Sequence, residues 1–152
     1  MDGDGDGFAQ CDIGAYEEQV TTPSCNGELA SIFVDGGIIH GGPTDGLPYL
    51  GKLVGSPGDD VILGTIGDDL IIGGHGDDVL CGGAQGNDKL QGGHGNDVLV
   101  TGEGEDFLSG GSGNDLMTGG LDGDSFVGGG GFDTVTDFDN GAGDLAVGVE
   151  SF

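Results

Sequence analysis

The chain has 152 residues, of which 28 are Asp or Glu and two are Lys or Arg, giving a formal charge of −26, and 39 are glycine. So few cations cannot grip a phosphate backbone or an anionic bilayer, and no apolar stretch approaches the roughly 18 residues of a membrane helix. Glycine at this density opposes long helices, and its failure to recur at every third residue excludes collagen. The length suits one domain, but an acidic chain of this kind compacts only if something supplies positive charge.

Residues 1–24 form an acidic N-terminal segment. Asp2, Asp4 and Asp6, followed by Gly7, resemble the opening of an EF-hand loop and are candidates for an extra ion. The twelfth position is Ile13 rather than a bidentate Glu, so a solvated acidic tail is the alternative. The stretch has no hydrophobic run of signal-peptide type. Residues 11–17 (CDIGAYE) resemble a tail segment of bacterial surface β-helix proteins, which implies continuation from a larger extracellular protein. Pro23 marks a break. Residues 25–54 form an N-terminal cap or strand region, with short strands expected at 30–34 and 38–39 and loops at 41–43 and 45–46. The three cysteines, Cys11, Cys25 and Cys81, include no CxxC pair. An odd number leaves one unpaired or paired outside the chain, and the composition suits a secreted or cell-surface setting in which disulfides persist.

From Gly55 the chain falls into a period of nine, with one ten-residue unit. The units are GSPGDDVIL (55–63), GTIGDDLII (64–72), GGHGDDVLC (73–81), GGAQGNDKLQ (82–91), GGHGNDVLV (92–100), TGEGEDFLS (101–109), GGSGNDLMT (110–118), GGLDGDSFV (119–127) and GGGGFDTVT (128–136). Each carries one acid at the same place: Asp60, Asp69, Asp78, Asp88, Asp97, Asp106, Asp115, Asp124 and Asp133. Two residues later each carries one apolar side chain: Ile62, Ile71, Leu80, Leu90, Leu99, Leu108, Met117, Phe126 and Val135. Asp-Gly runs are ordinary turn formers, but turn chemistry alone does not demand an Asp in every unit.

These units resemble the nonapeptide G-G-x-G-x-D-x-U-x of the RTX (repeats-in-toxin) calcium-binding family. The resemblance covers 55–136 and implies an all-β fold, a parallel β-roll of nine repeats. In such a roll G-G-x-G-x-D makes the turn and x-U-x the strand, so two repeats close one coil and odd and even repeats build opposite sheets. Calcium takes six to eight oxygens, and the resemblance implies that Asp carboxylates and backbone carbonyls of turns n and n+2 enclose one ion. The nine Asp residues named above are then the metal ligands. Stacking gives up to about seven Ca²⁺, whose charge of about +14 would bring −26 to about −12. Repeat eight has Asp122 where glycine is expected, which puts the site at Asp124 in question.

One inward apolar residue per repeat makes a thin core, so metal binding is expected to be part of the folding free energy. Residues 137–152 resemble the C-terminal cap of such rolls. The family resemblance also implies a Cys25–Cys81 bridge, with Cys11–Cys25 as the rival. Flanking residues of x-U-x point outward. The odd face is therefore rich in apolar and β-branched residues (Val61, Leu63, Val79, Cys81, Val98, Val100, Leu116), whereas Lys89, Gln91 and Ser125 interrupt the even face. Residues 25–54, a protein partner or a second copy is expected to cover the odd face. His75 and His94 occupy stacked third positions and read as exposed turn residues, with zinc ligation as the alternative. No catalytic motif appears, so no enzyme activity is expected. The sequence thus reads as an extracellular calcium-binding structural module for secretion, adhesion or surface assembly. Its alternatives are the non-catalytic C-terminal part of a secreted toxin or hydrolase, and a subunit of an extracellular filament.

Overall fold

A strand of three residues persists only by pairing with its equivalents in neighbouring coils. That is how the computed structural model, which describes residues 23–151, arranges the repeats. Asp2, Asp4, Asp6, Cys11 and the 11–17 motif lie outside the described residues.

In chain order the strands are β1 (Ser24–Cys25), β2 (Glu28–Leu29), β3 (Phe33–Asp35), β4 (Ile38–His40) and β5 (Lys52–Val54). Then follow β6 (Val61–Leu63), β7 (Leu70–His75), β8 (Val79–Cys81), β9 (Lys89–His94) and β10 (Val98–Val100). The last five are β11 (Phe107–Ser112), β12 (Leu116–Thr118), β13 (Ser125–Gly130), β14 (Thr134–Val135) and β15 (Leu145–Val147). One parallel sheet runs β6-β8-β10-β12-β14 and the other β5-β7-β9-β11-β13-β15, a solenoid of about five turns. Odd and even repeats therefore do build opposite sheets. There is no α-helix among the described residues, only a 3-10 turn at Gly42–Thr44.

Register explains the core. Leu99 lies beside Leu80 and Met117, and Leu90 beside Ile71 and Leu108, so each apolar side chain stacks on its own equivalent. Ile62, Leu80, Leu99, Met117 and Val135 face Ile71, Leu90, Leu108 and Phe126, and none is more than 1% exposed. On the N-terminal side two residues outside the repeats join these columns. Leu53 on β5 pairs with Ile71, and Ile32 bridges to Ile62. Beyond the last repeat, β15 pairs in parallel with β13, and Phe138 packs at 6.5 Å from Phe126, ring centre to ring centre.

Two local expectations need correction. The strand expected at 30–34 is shifted to Phe33–Asp35, because Ile32 leaves the hairpin to bridge the roll. The even strands β7, β9, β11 and β13 run six residues, continuing through the following G-G-x, whereas odd strands have three or two. Backbone pairing of Gly74 with Gly93 and Gly111 with Gly129 carries that extension.

The hairpin β1–β2 lies over the start of the odd outer face. Cys25 is disulfide-bonded to Cys81, with Cα atoms 5.8 Å apart, which agrees with the pairing implied by resemblance. Cys25 is buried in a cluster with Val61, Leu63, Val79, Cys81, Val98 and Val100. Residues of the N-terminal region thus cover the first part of that face, while Leu116 further along stays 38% exposed.

Candidate metal centre

Each turn places its Asp directly before a strand, and all nine repeat Asp residues are buried, none more than 7% exposed. Burial of nine acids in a chain with two cations demands an arrangement that holds each carboxylate. The backbone supplies half of it. The Asp60 N–H donates to Asp78 Oδ1 at 2.9 Å, Asp78 to Asp97 at 2.9 Å, Asp97 to Asp115 at 2.9 Å and Asp115 to Asp133 at 2.9 Å. On the opposite edge Asp69 donates to Asp88 at 2.9 Å, Asp88 to Asp106 at 2.7 Å and Asp106 to Asp124 at 2.9 Å. Two unbroken columns result, one per edge.

The fifth-position residues form a second set of rungs in the opposite sense. Asp77 N–H donates back to Asp59 Oδ1 at 2.9 Å, Asn96 to Asp77 at 2.7 Å and Asn114 to Asn96 at 2.9 Å. These groups are exposed, and Asn replaces Asp without loss because either side-chain oxygen accepts the bond.

The remaining carboxylate oxygens are the informative ones. Oδ2 of Asp78, Asp97, Asp106, Asp115 and Asp133, and Oδ1 of Asp69, are buried with no hydrogen-bond partner. Oδ2 of Asp97 points at Gly92, where an added Cβ would strike it and also meet the Gly110 carbonyl. The first glycine of the repeat therefore leaves room for a carboxylate and a carbonyl side by side. The glycine at the fourth position has a different duty. Gly95 holds φ at 125° against the Gly76 carbonyl of the preceding coil, where no side chain fits.

Electrostatics point the same way. Burial pushes the carboxyls of Asp88, Asp97 and Asp124 up to about 6, partly offset by the N–H each receives, and like-charged neighbours along the columns push further. Asp69, Asp78, Asp106 and Asp115 are raised as well, with burial again the main cause. Buried, crowded carboxylate oxygens of this kind suit a multivalent hard cation. The donor set, carboxylate and carbonyl oxygens without a nitrogen or sulfur, fits calcium. Among the described residues no three His, Cys, Asp or Glu side chains converge to hold a metal, so carbonyls are needed to complete any shell.

Repeat eight keeps its place in the column despite its departure. Asp122 itself adopts φ 77°, the role of the missing glycine, and Asp124 remains bonded to Asp106. His75 and His94 stack 4.6 Å apart with rings 8° from parallel. Parallel rings send their nitrogens in parallel directions rather than onto one ion, and both are exposed. Sequence reading missed the last member of each column. Asp124 N–H donates to Asp144 Oδ1 at 3.0 Å, and Asp133 N–H to Glu150 Oε2 at 2.7 Å. The tetrad Asp144-Leu145-Ala146-Val147 preserves D-x-U-x and signals the first; Glu150, 17 residues after Asp133, follows no repeat rule.

Fold and site together define a parallel β-solenoid whose turn edges carry two rows of buried carboxylate oxygens. The sequence model of the RTX calcium-binding nonapeptide repeat matches the chain in four copies, over residues 54–85, 83–108 and 100–135. The matches span more than half of the chain, which belongs to this calcium-binding family. No curated protein and no solved structure matches the chain.

Proposed function

We propose that this chain is an extracellular structural module whose folding is coupled to calcium. The observation that carries the reading is the column of buried Asp oxygens without partners. Asp60, Asp69, Asp78, Asp88, Asp97, Asp106, Asp115, Asp124 and Asp133 would hold the ions with neighbouring carbonyls, and the cations would supply the positive charge that the composition lacks. Up to about seven ions fit between the repeats on this reading. The Cys25–Cys81 bridge supports an oxidising, secreted or cell-surface setting. The family's repeat is structural rather than catalytic, and the module serves secretion, adhesion or surface assembly without enzyme activity of its own. The odd face from Leu116 to Thr136, beyond the reach of Cys25, is where it would meet a protein partner or a second copy.

The test is circular dichroism of the full chain in chelator and in calcium. Chelator is expected to abolish the β signal and calcium to restore it. Identical spectra in the two conditions would sink the reading.

A further inference from the structure

The two acid columns end differently. On the even edge, Asp144 accepts the Asp124 N–H through Oδ1 and the Asp139 N–H through Oδ2, at 3.0 and 2.7 Å. Both oxygens are engaged, so this end is closed by protein alone. On the odd edge, Glu150 Oε2 accepts the Asp133 N–H at 2.7 Å, the position that an Asp fills in every earlier coil. Asp133 itself is 0% exposed, and its Oδ2 has no partner.

The surroundings of Asp133 repeat those of the inner coils. An added Cβ on Gly92 would meet Asp97 Oδ2 and the Gly110 carbonyl, and one on Gly128 would meet Asp133 Oδ2 and the Gly148 carbonyl. Gly148 thus stands where the first glycine of a further repeat would stand, and the shortened turn of residues 148–151 brings Glu150 into the acid column. Ser151 completes the mimicry, bridging in parallel to Thr134 and accepting the Val135 N–H at 3.0 Å.

The geometry points to one more divalent-cation site, outside the nonapeptides, held by Asp133 and Glu150 with the Gly148 carbonyl. This rests on the calcium reading above and assigns a ligand that the repeat motif does not contain. Glu reaches one methylene further than Asp, which suits a turn two residues from its glycine rather than five.

Equilibrium dialysis of the full chain against calcium, with metal counted per chain, tests it. Glu150→Gln keeps an oxygen acceptor for the Asp133 N–H but removes the charge, and is expected to bind one ion fewer than the unchanged chain. Glu150→Lys, whose ammonium would occupy the position, is expected to lose the same ion. Asp144→Asn at the closed end is expected to lose none. An unchanged count in whichever Glu150 variant folds overturns the assignment, as does an equal loss from Asp144→Asn. Failure of both Glu150 variants to fold in saturating calcium also overturns it, since Glu150 would then be holding the fold rather than an ion. If the unchanged chain binds no calcium, the functional reading itself fails, a result distinct from all of these.

Discussion

Replacing Gly92 by alanine adds one carbon to a site that has no room for it. The new Cβ would strike Asp97 Oδ2 and lie 2.7 Å from the Gly110 carbonyl and 2.8 Å from Asp97 Cβ. The first of these is a proposed ligand, and the second belongs to backbone pinned by the next coil, so neither yields freely. Overpacking of this kind costs about 1–3 kcal/mol. Gly58→Ala is the matched control, because nothing stands within 4 Å of its Cβ and its φ is not in the left-handed region. There the shorter list of unfolded conformations should stabilise by about 0.4–1 kcal/mol. The choice of assay follows from the number of ions. A loss of about 2 kcal/mol shared over about seven cooperative ions moves the calcium midpoint by only about 1.6-fold. The same loss lowers Tm by roughly 4–8 °C for a domain of this size. Thermal unfolding at fixed, saturating calcium is therefore the sensitive measurement. If Gly92→Ala melts at or above the temperature of Gly58→Ala, the idea that the first glycine makes space for ligands is wrong.

Three further outcomes are expected. In chelator, carboxyls raised toward about 6 from 3.8 bind more protons folded than unfolded. Their contribution is therefore full below 3.8 and lost as pH rises through about 6, so any residual β signal should be larger near pH 4 than at neutrality. With calcium the sign reverses, because the bound cation holds these carboxyls ionised below their unfolded value of 3.8, so stability should be level near neutrality and fall as pH drops toward and below 3.8; parallel pH titrations followed by circular dichroism read both. Leu99→Ala, at a core position 0% exposed, should cost about 2–5 kcal/mol, whereas Leu116→Ala at 38% exposure should cost about 1 kcal/mol or less in the same thermal assay. Breaking the Cys25–Cys81 bridge, which closes a separation of 56 residues, should lower stability by about 4 kcal/mol, and comparable melting with and without reductant would refute that.

The inner coils were legible because every constraint there repeats. An Asp that accepts from the previous coil and a Leu two residues later that stacks on its equivalent recur at fixed spacing, so Asp97 and Leu99 could be placed from sequence. The ends were not. Lys52–Val54 lacks the preceding glycine-acid turn and becomes a strand only because β7 offers an edge to pair with. Ile32 joins the core through a single bridge, a contact between distant residues that no local pattern announces. Strand length escaped for another reason. Gly-Gly follows every extended even strand, but it also follows the short odd strands that end at Cys81 and Thr118, so the dipeptide alone does not tell which strand will continue its pairing through the glycines. Asp122 shows the converse, a broken motif that keeps its geometry because Asp tolerates positive φ better than most side chains.

Neighbouring strands on one sheet are 18 residues apart in most coils, 19 where the ten-residue unit intervenes, and 20 between β13 and β15. Through all three spacings the inward residue still meets an inward residue. Surplus length is thus absorbed in turns, which have no alternation of sides to disturb. A single extra residue within a strand would instead invert every later side chain of that strand. A whole added nonapeptide would transfer all that follows to the opposite sheet, setting Glu150 and Asp144 on each other's edges. Lineages that lengthen or shorten such a roll while keeping both terminal fittings are therefore confined to steps of one full coil, with the turns free to drift by a residue at a time.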